Sequence, residues 1–366
     1  MTYNFGMNNQ LMRPKRSDNR MDNHPELDMI VAALRDFVKP ERPEMVIPIK
    51  KSKIASCRNI KIGGIRQWVI IKGKSTANPI LLFLHGGPGG AEWPLVRIFN
   101  LRLASEFTMV YWDQRGAGKS FNEPTPNMHI DQFISDTKEL AEYLKEELCQ
   151  TRVFVVGHSW GSLLGLLTAQ KYPNLFEAFI GVGQYVYGKE NEAISYQFTK
   201  DCAWQKKNRK AICQLEQLNY PYPYGTIDAD GKWFGDLLIQ REWLFRFEGC
   251  IYGEKRRLKW TVPFLITPEY SWLDLLKWYK GYYYSLKTMW PEIVKYNLFE
   301  EIPQIRIPCY FFIGKHDYNT PYELASKYYH QLKAPKKEII WFENSAHHPM
   351  YEEALKFNDS IISIAK

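Results

Sequence analysis

The sequence predicts an α/β fold: a mostly parallel central sheet with helices on both faces, interrupted by a long, mostly helical insertion. Three observations carry that expectation. Short apolar runs at residues 80–84, 108–112, 152–156, 176–182, 309–313 and 338–342 have the composition of buried strands. Helical stripes separate most of them, which is the rhythm of βαβ units in a parallel sheet. Between about residues 184 and 302 the rhythm stops, and Trp, Tyr and Lys dominate. A connection of that length inside a compact domain must carry secondary structure of its own.

Taken in order, residues 1–43 are rich in Asn, Asp, Arg and Met. Only Leu27, Ile30, Val31, Leu34 and Val38 make a stripe, so a tail with one short helix is expected there. Residues 45–49 read as a strand. Residues 59–62 and 67–72 read as an antiparallel hairpin turning at Gly63-Gly64, at a sheet edge. The strand at 80–84 leads to a helix at 93–104, a strand at 108–112 and a long helix at 130–149 striped by Phe133, Ile134, Thr137, Leu140, Leu144 and Leu148. The strand at 152–156 feeds a helix that runs to Lys171 and is stopped by Pro173. After the strand at 176–182 comes the insertion. The alternation then resumes with a strand at 309–313, a helix at 322–332, a strand at 338–342 and a closing helix at 351–364. The expected domains are therefore a core of residues 44–183 and 303–366 and an inserted helical domain at 184–302.

The formal net charge is +8, with local excess in Lys206-Lys207-Asn208-Arg209-Lys210 and Lys255-Arg256-Arg257-Leu258-Lys259. No nucleic-acid motif accompanies either run, so they read as solvated faces and no nucleic-acid partner is expected. No apolar stretch reaches the roughly 18 residues of a membrane span, and the polar N-terminus has no apolar signal region. A cytoplasmic protein without a membrane partner is expected. The six cysteines have no metal-binding spacing and read as reduced.

The chemistry centres on Gly157-His158-Ser159-Trp160-Gly161, a G-x-S-x-G turn between a buried strand and a helix, which presents one serine hydroxyl. That hydroxyl needs a base as it attacks. Two loops at strand C-terminal ends, where open α/β sheets place their sites, offer the partners. In Gly314-Lys315-His316-Asp317, Asp317 is the expected acid; in Asn344-Ser345-Ala346-His347-His348-Pro349, His347 is the expected general base. His316 and His348 are the competing histidines. His85-Gly86-Gly87-Pro88-Gly89-Gly90 follows another buried strand, and the N–H groups of Gly87 and Trp160 would form an oxyanion hole. A phosphate cradle is the weaker reading, because no G-x-x-x-x-G-K-[ST] is present and Pro88 lacks a donor. The run Asp113-Gln114-Arg115-Gly116-Ala117-Gly118-Lys119-Ser120 reads as bracing for these loops.

Together, His85-Gly86-Gly87-Pro88-Gly89, Asp113-Gln114-Arg115-Gly116-x-Gly118-x-Ser120 and Gly157-x-Ser159-Trp160-Gly161-Ser162 resemble the prolyl aminopeptidase (proline iminopeptidase) branch of the α/β hydrolases. The resemblance covers roughly residues 80–182 and 307–366. It implies the α/β-hydrolase fold, a Ser-Asp-His triad, no metal or organic cofactor, and a helical cap where the insertion lies. Prolyl aminopeptidases bind the free amine of the substrate through cap carboxylates, as a buried ammonium requires. Glu190, Glu192, Glu242, Glu248 and Glu254 are the candidates, and Glu248, flanked by Phe247 and Tyr252, is the one selected.

The expected function is a serine hydrolase that releases an N-terminal residue, such as proline, from short peptides through an acyl-enzyme. An esterase, lactonase or amidase for a hydrophobic small molecule is the alternative, favoured by the aromatic cap. A non-catalytic ligand receptor on the same fold is the third reading. The serine at the elbow argues against epoxide hydrolases and dehalogenases, which use a carboxylate there. Oligomeric state is open.

Overall fold

The computed structural model describes residues 54–218, 232–253 and 258–366. The helix expected at 27–38 and the strand expected at 45–49 lie outside them. The described strands are β1 (Ile54–Ile62), β2 (Ile65–Gly73), β3 (Ile80–Leu84), β4 (Thr108–Asp113), β5 (Val153–His158), β6 (Ala178–Val182), β7 (Cys309–Gly314) and β8 (Lys337–Phe342). They form one 8-stranded sheet in the order β1-β2-β4-β3-β5-β6-β7-β8. β1 and β2 are the expected edge hairpin, with Ile62 opposite Ile65. β2 runs antiparallel to β4, and every pairing from β4 to β8 is parallel.

Among the described residues, three α-helices precede the insertion: α1 (Trp93–Phe99), α2 (Ile130–Glu147) and α3 (Trp160–Lys171). In the insertion lie α4 (Gly188–Gln205), α5 (Arg209–Glu216), α6 (Lys232–Arg246), α7 (Leu258–Ile266), α8 (Trp272–Ile293) and α9 (Leu298–Glu301). After β7 come α10 (Tyr322–Gln331), α11 (Pro349–Glu352) and α12 (Ala354–Ile364). Because strand side chains alternate between faces, each central strand feeds two cores. Leu82, Leu84 and Val155 pack with Phe133 of α2, Leu163 and Leu164 of α3 and Leu324 of α10. Leu81, Phe83, Phe154 and Val156 pack with Trp93 of α1 and with Phe357 and Ile361 of α12. Withdrawing each such side chain from water contributes about 1.5–3 kcal/mol, and this double burial explains why β3 to β7 lack polar alternation. Among the described residues no helix is long and apolar enough to cross a membrane.

Two helices are interrupted where their periodicity predicts continuity. The helix expected at 93–104 ends at Phe99 and resumes as a 3₁₀ turn at Leu101–Ser105. Asn100, at the break, is fully buried and donates through Nδ2 to Met350 O at 2.9 Å and Asn358 Oδ1 at 3.1 Å. The closing helix is likewise split at Glu353. That carboxylate turns back to accept from Asn344 N at 3.0 Å and Ser345 Oγ at 2.7 Å.

The inserted helices have a small core of their own, built on Tyr196, Leu215, Trp233, Trp243, Phe247 and Trp290. Polar contacts tie the segment to the loops at the C-terminal ends of β3 and β4. Ser285 Oγ donates to Gly116 O at 2.9 Å, and Trp278 Nε1 donates to Ala91 O at 2.7 Å. Another buried tie is Tyr270 OH, which lies 2.6 and 2.7 Å from the two oxygens of Asp113. Burial pushes the Asp113 carboxyl up to about 7 in spite of donation by Tyr270 and by Lys119 N. Tyr270→Phe removes the side-chain donor from a buried carboxylate, which costs about 1–3 kcal/mol. Urea unfolding of the variant will have a lower midpoint; an unchanged midpoint would mean the contact stabilises nothing.

Candidate active site

Ser159 joins β5 to α3 at φ 53°, ψ −118°, a backbone conformation that side chains other than glycine rarely adopt. The flanking glycines make the turn possible. A Cβ on Gly157 would stand 2.2 Å from Gly161 O, and one on Gly161 would stand 2.0 Å from Leu84 O. Two further bonds hold the turn: Ser159 N donates to Val182 O at 2.9 Å, and Ser162 Oγ donates to Ser159 O at 2.6 Å. The serine is half-buried, and its hydroxyl has no hydrogen-bond partner among the described residues.

Asp317 and His347, both buried, are brought together from the loops after β7 and β8, with Asp317 Oδ2 lying 2.8 Å from His347 Nδ1. Oδ1 accepts from Asn319 N at 2.8 Å and Thr320 N at 2.9 Å, and Oδ2 accepts from Thr320 Oγ1 at 2.8 Å. Every lone pair used here has a donor, so the carboxylate is fixed as an acceptor for one imidazole N–H. His316 instead stacks on Tyr252 with ring centroids 3.6 Å apart.

Gly87 is half-buried in the glycine loop at φ 112°. Neither its N–H nor that of Trp160 donates to an acceptor among the described residues. Polar contacts beneath set the spacing of these two amides. The Trp160 indole donates to Gln114 Oε1 at 3.0 Å, and Gln114 Nε2 donates to His85 O at 3.2 Å. His85 Nε2 accepts from Gln114 N at 3.1 Å, so its proton is on Nδ1, facing Gly86 O at 2.8 Å. Burial lowers this ring to about 4 and keeps it neutral. Arg115, fully buried, meets Asp136 through Nε at 2.9 Å and Nη2 at 3.1 Å, and donates to Pro126 O and Gly63 O.

Three residues beside the site carry no signal that sequence reasoning used. Glu92 Oε1 lies 2.8 Å from His158 Nδ1, while His158 Nε2 lies 3.0 Å from His347 O. Burial pushes His158 down, but the charge and hydrogen bond of Glu92 together lift it above its ordinary value. Burial also raises Glu92, and His158 outweighs this to hold it below the usual carboxylate range. The third residue, Glu352, accepts from Tyr252 N at 2.7 Å, Ala346 N at 3.1 Å and His348 N at 2.9 Å. It grips the His347 backbone from both sides. A carboxylate gathering three amides across loops is recognisable only once the chain is folded.

The inserted carboxylates differ in setting. Glu248, half-buried, accepts from Gly253 N at 3.3 Å. Glu192 is fully buried, with Oε1 2.5 Å from Arg241 Nη2 and Oε2 without a hydrogen-bond partner among the described residues. Glu190 lies 3.9 Å from Lys327, and Glu242 pairs with Arg246 at 2.6 Å. Glu254 lies outside the described residues.

The family model for the alpha/beta hydrolase fold matches residues 79–215. A probable aminopeptidase, YbaC of Bacillus subtilis (strain 168), is 33% identical over 324 residues, which is 86% of this chain and 98% of that protein. The chain belongs to the α/β-hydrolase family. More distantly, this α/β hydrolase is 24% identical to a proline iminopeptidase of Saccharolobus solfataricus, over 82% of its own length and 89% of the relative's. Among solved structures, a proline iminopeptidase-related protein of Thermus thermophilus superposes with a TM-score of 0.58 at 19% identity, covering 85% of this chain and 96% of that one. The curated relatives make the hydrolase prolyl aminopeptidase-like, and the solved structure adds the shared fold.

The hydrolase carries a titrating group in the loop of His347. Burial raises the Glu352 carboxyl from 4.5 to about 7, against the pull of its three amide donors. The folded state therefore binds the proton more tightly than the unfolded chain. Its stabilising contribution is complete below about pH 4.5 and is lost as pH rises through about 7. Between about pH 5 and about pH 8 the wild type will lose more unfolding free energy than Glu352→Gln does, by on the order of 1–3 kcal/mol in urea titrations. Equal losses would contradict the assignment.

Proposed function

We propose that this α/β hydrolase is a serine aminopeptidase that releases an N-terminal residue, such as proline, from short peptides. The observation that carries the reading is the buried 2.8 Å Asp317–His347 pair on loops neighbouring the strained Ser159 turn. The near full-length likeness to a probable aminopeptidase supports the peptidase side.

In this reading Ser159 Oγ attacks the scissile carbonyl while His347 Nε2 takes its proton. Asp317 accepts from Nδ1–H, fixes the ring tautomer and stabilises the imidazolium. The amides of Gly87 and Trp160 receive the oxyanion that forms as the carbonyl becomes tetrahedral. Collapse of the tetrahedral species expels the amine, which leaves with the proton from His347, and an acyl-enzyme remains on Ser159. Water, deprotonated by the same ring, then releases the free acid. No metal or organic cofactor enters these steps. The helices at 184–302 serve as the cap, with Glu248 as the amine-binding carboxylate and Glu192 as the buried alternative. The protein acts in the cytoplasm.

Ser159→Ala will lower turnover of aminoacyl-naphthylamides by about 10⁴-fold or more and abolish labelling by a fluorophosphonate probe. Glu248→Gln will raise KM for substrates with a free amine and leave N-acetylated ones unchanged. Rapid cleavage of acyl esters with no turnover of naphthylamides or short peptides would replace the aminopeptidase by an esterase. An unlabelled, well-folded wild type would favour a ligand receptor.

A further inference from the structure

Beside the Ser159 site, three side chains of metal-binding chemistry converge without any part in the reaction proposed above. Glu92 comes from the end of the glycine loop, His158 from the last position of β5, and His348 from the residue after the base. One ligand atom from each lies within 4.8 Å of the others. Two features set this cluster apart from a chance meeting of polar groups.

The first is the outer contact of His158. Its Nε2 faces the backbone oxygen of His347 at 3.0 Å and therefore carries a proton, while Nδ1 is turned to Glu92 Oε1 at 2.8 Å. An imidazole whose far N–H donates to a backbone carbonyl is oriented as metal-ligating histidines are. The second is His348. Its Nε2 lies 3.8 Å from Cys250 Sγ, whereas Nδ1 is buried without a hydrogen-bond partner among the described residues. The ring is held by His158, with centroids 4.9 Å apart, and by Trp260 at 5.7 Å. A buried imidazole nitrogen held in place with nothing to bond requires an explanation.

We propose that Glu92, His158 and His348 form a zinc site, with the Glu92 carboxylate, His158 Nδ1 and His348 Nδ1 as its three protein ligands. Two imidazoles and a carboxylate are a donor set suited to Zn²⁺, with water in the fourth position; Ca²⁺ and Mg²⁺ prefer all-oxygen shells. On binding, the ion takes the place of the His158 Nδ1 proton, which leaves to solvent, and His158 keeps its Nε2–H bond to His347 O. Tetrahedral ligands stand about 3.3 Å apart, so the Glu92–His158 pair opens slightly and the wider pairs close through side-chain rotation. Tyr351 OH, 3.3 Å from Glu92 Oε2, remains as an outer contact of the carboxylate. The site shares the His347 carbonyl with the proposed catalytic base, yet its existence does not depend on which substrate that base serves.

The test is equilibrium dialysis of the full-length, chelator-stripped protein against Zn²⁺, read by elemental analysis. One zinc per chain is expected, retained in Ser159→Ala and weakened at least tenfold in His348→Gln and in Glu92→Gln. Exposed Cys57, Cys149 and Cys213 offer competing thiolates, so the wild type is also loaded with Co²⁺. Tetrahedral ligand-field bands without thiolate charge transfer are expected, and this reading stands even where a variant fails to fold. Absence of bound metal, binding equal to wild type in both variants, or a thiolate charge-transfer band would each overturn the proposal.

Discussion

The backbone of Ser159, at φ 53° and ψ −118°, is the constraint from which the neighbouring structure follows. A residue held there costs of order 1–3 kcal/mol and persists only where its surroundings over-determine it. Here β5 is paired on both sides, with β3 and β6, so the strand cannot shift to relax the turn. The α3 backbone then passes so close to β3 that Gly161 has no room for a side chain against Leu84 O. The strain is thus opposed by the whole double-faced core. The hydroxyl is held clear of both strand and helix by elements that themselves have little freedom.

The loops around that turn are organised differently, by buried polar groups whose partners come from elsewhere in the chain. His85, Gln114 and the Trp160 indole link the glycine loop, the loop after β4 and the start of α3. Arg115 and Asp136 do the same for the β1–β2 turn and α2. In a dry interior each unmet donor or acceptor is expensive, so such groups choose one arrangement of the loops and penalise others. Glu352 extends the logic to the His347 loop, at the cost of a carboxyl that burial drives towards protonation near neutral pH.

How much of this was legible in the sequence follows from the range of the interactions. β3 to β7 could be read from composition because burial on both faces leaves them unbroken apolar runs. The serine turn could be read because its steric demand falls on two glycines within five residues. The breaks at Asn100 and Glu353 could not, since Asn100 answers to Met350 and Asn358, far along the chain. Glu92, His158 and Glu352 were hidden for the same reason. Each is a common residue in an ordinary local context, and its partners appear only after the loops at the sheet's C-terminal edge have been folded together.

The inserted helices show where sequence legibility stops. Their helical character followed from the missing strand rhythm, but the choice among their carboxylates depends on burial and partners. Glu192 is withdrawn from solvent beside Arg241, and Glu248 bonds within its own loop. A carboxylate already paired with a guanidinium must give up or share that partner to meet an incoming ammonium, and the exchange is favourable only if the ligand restores the lost hydrogen bonds. In the proposed reading, amine recognition by this segment would be governed by the competition between ligand and existing partner, and glutamates equivalent in sequence are made unequal by the folded chain.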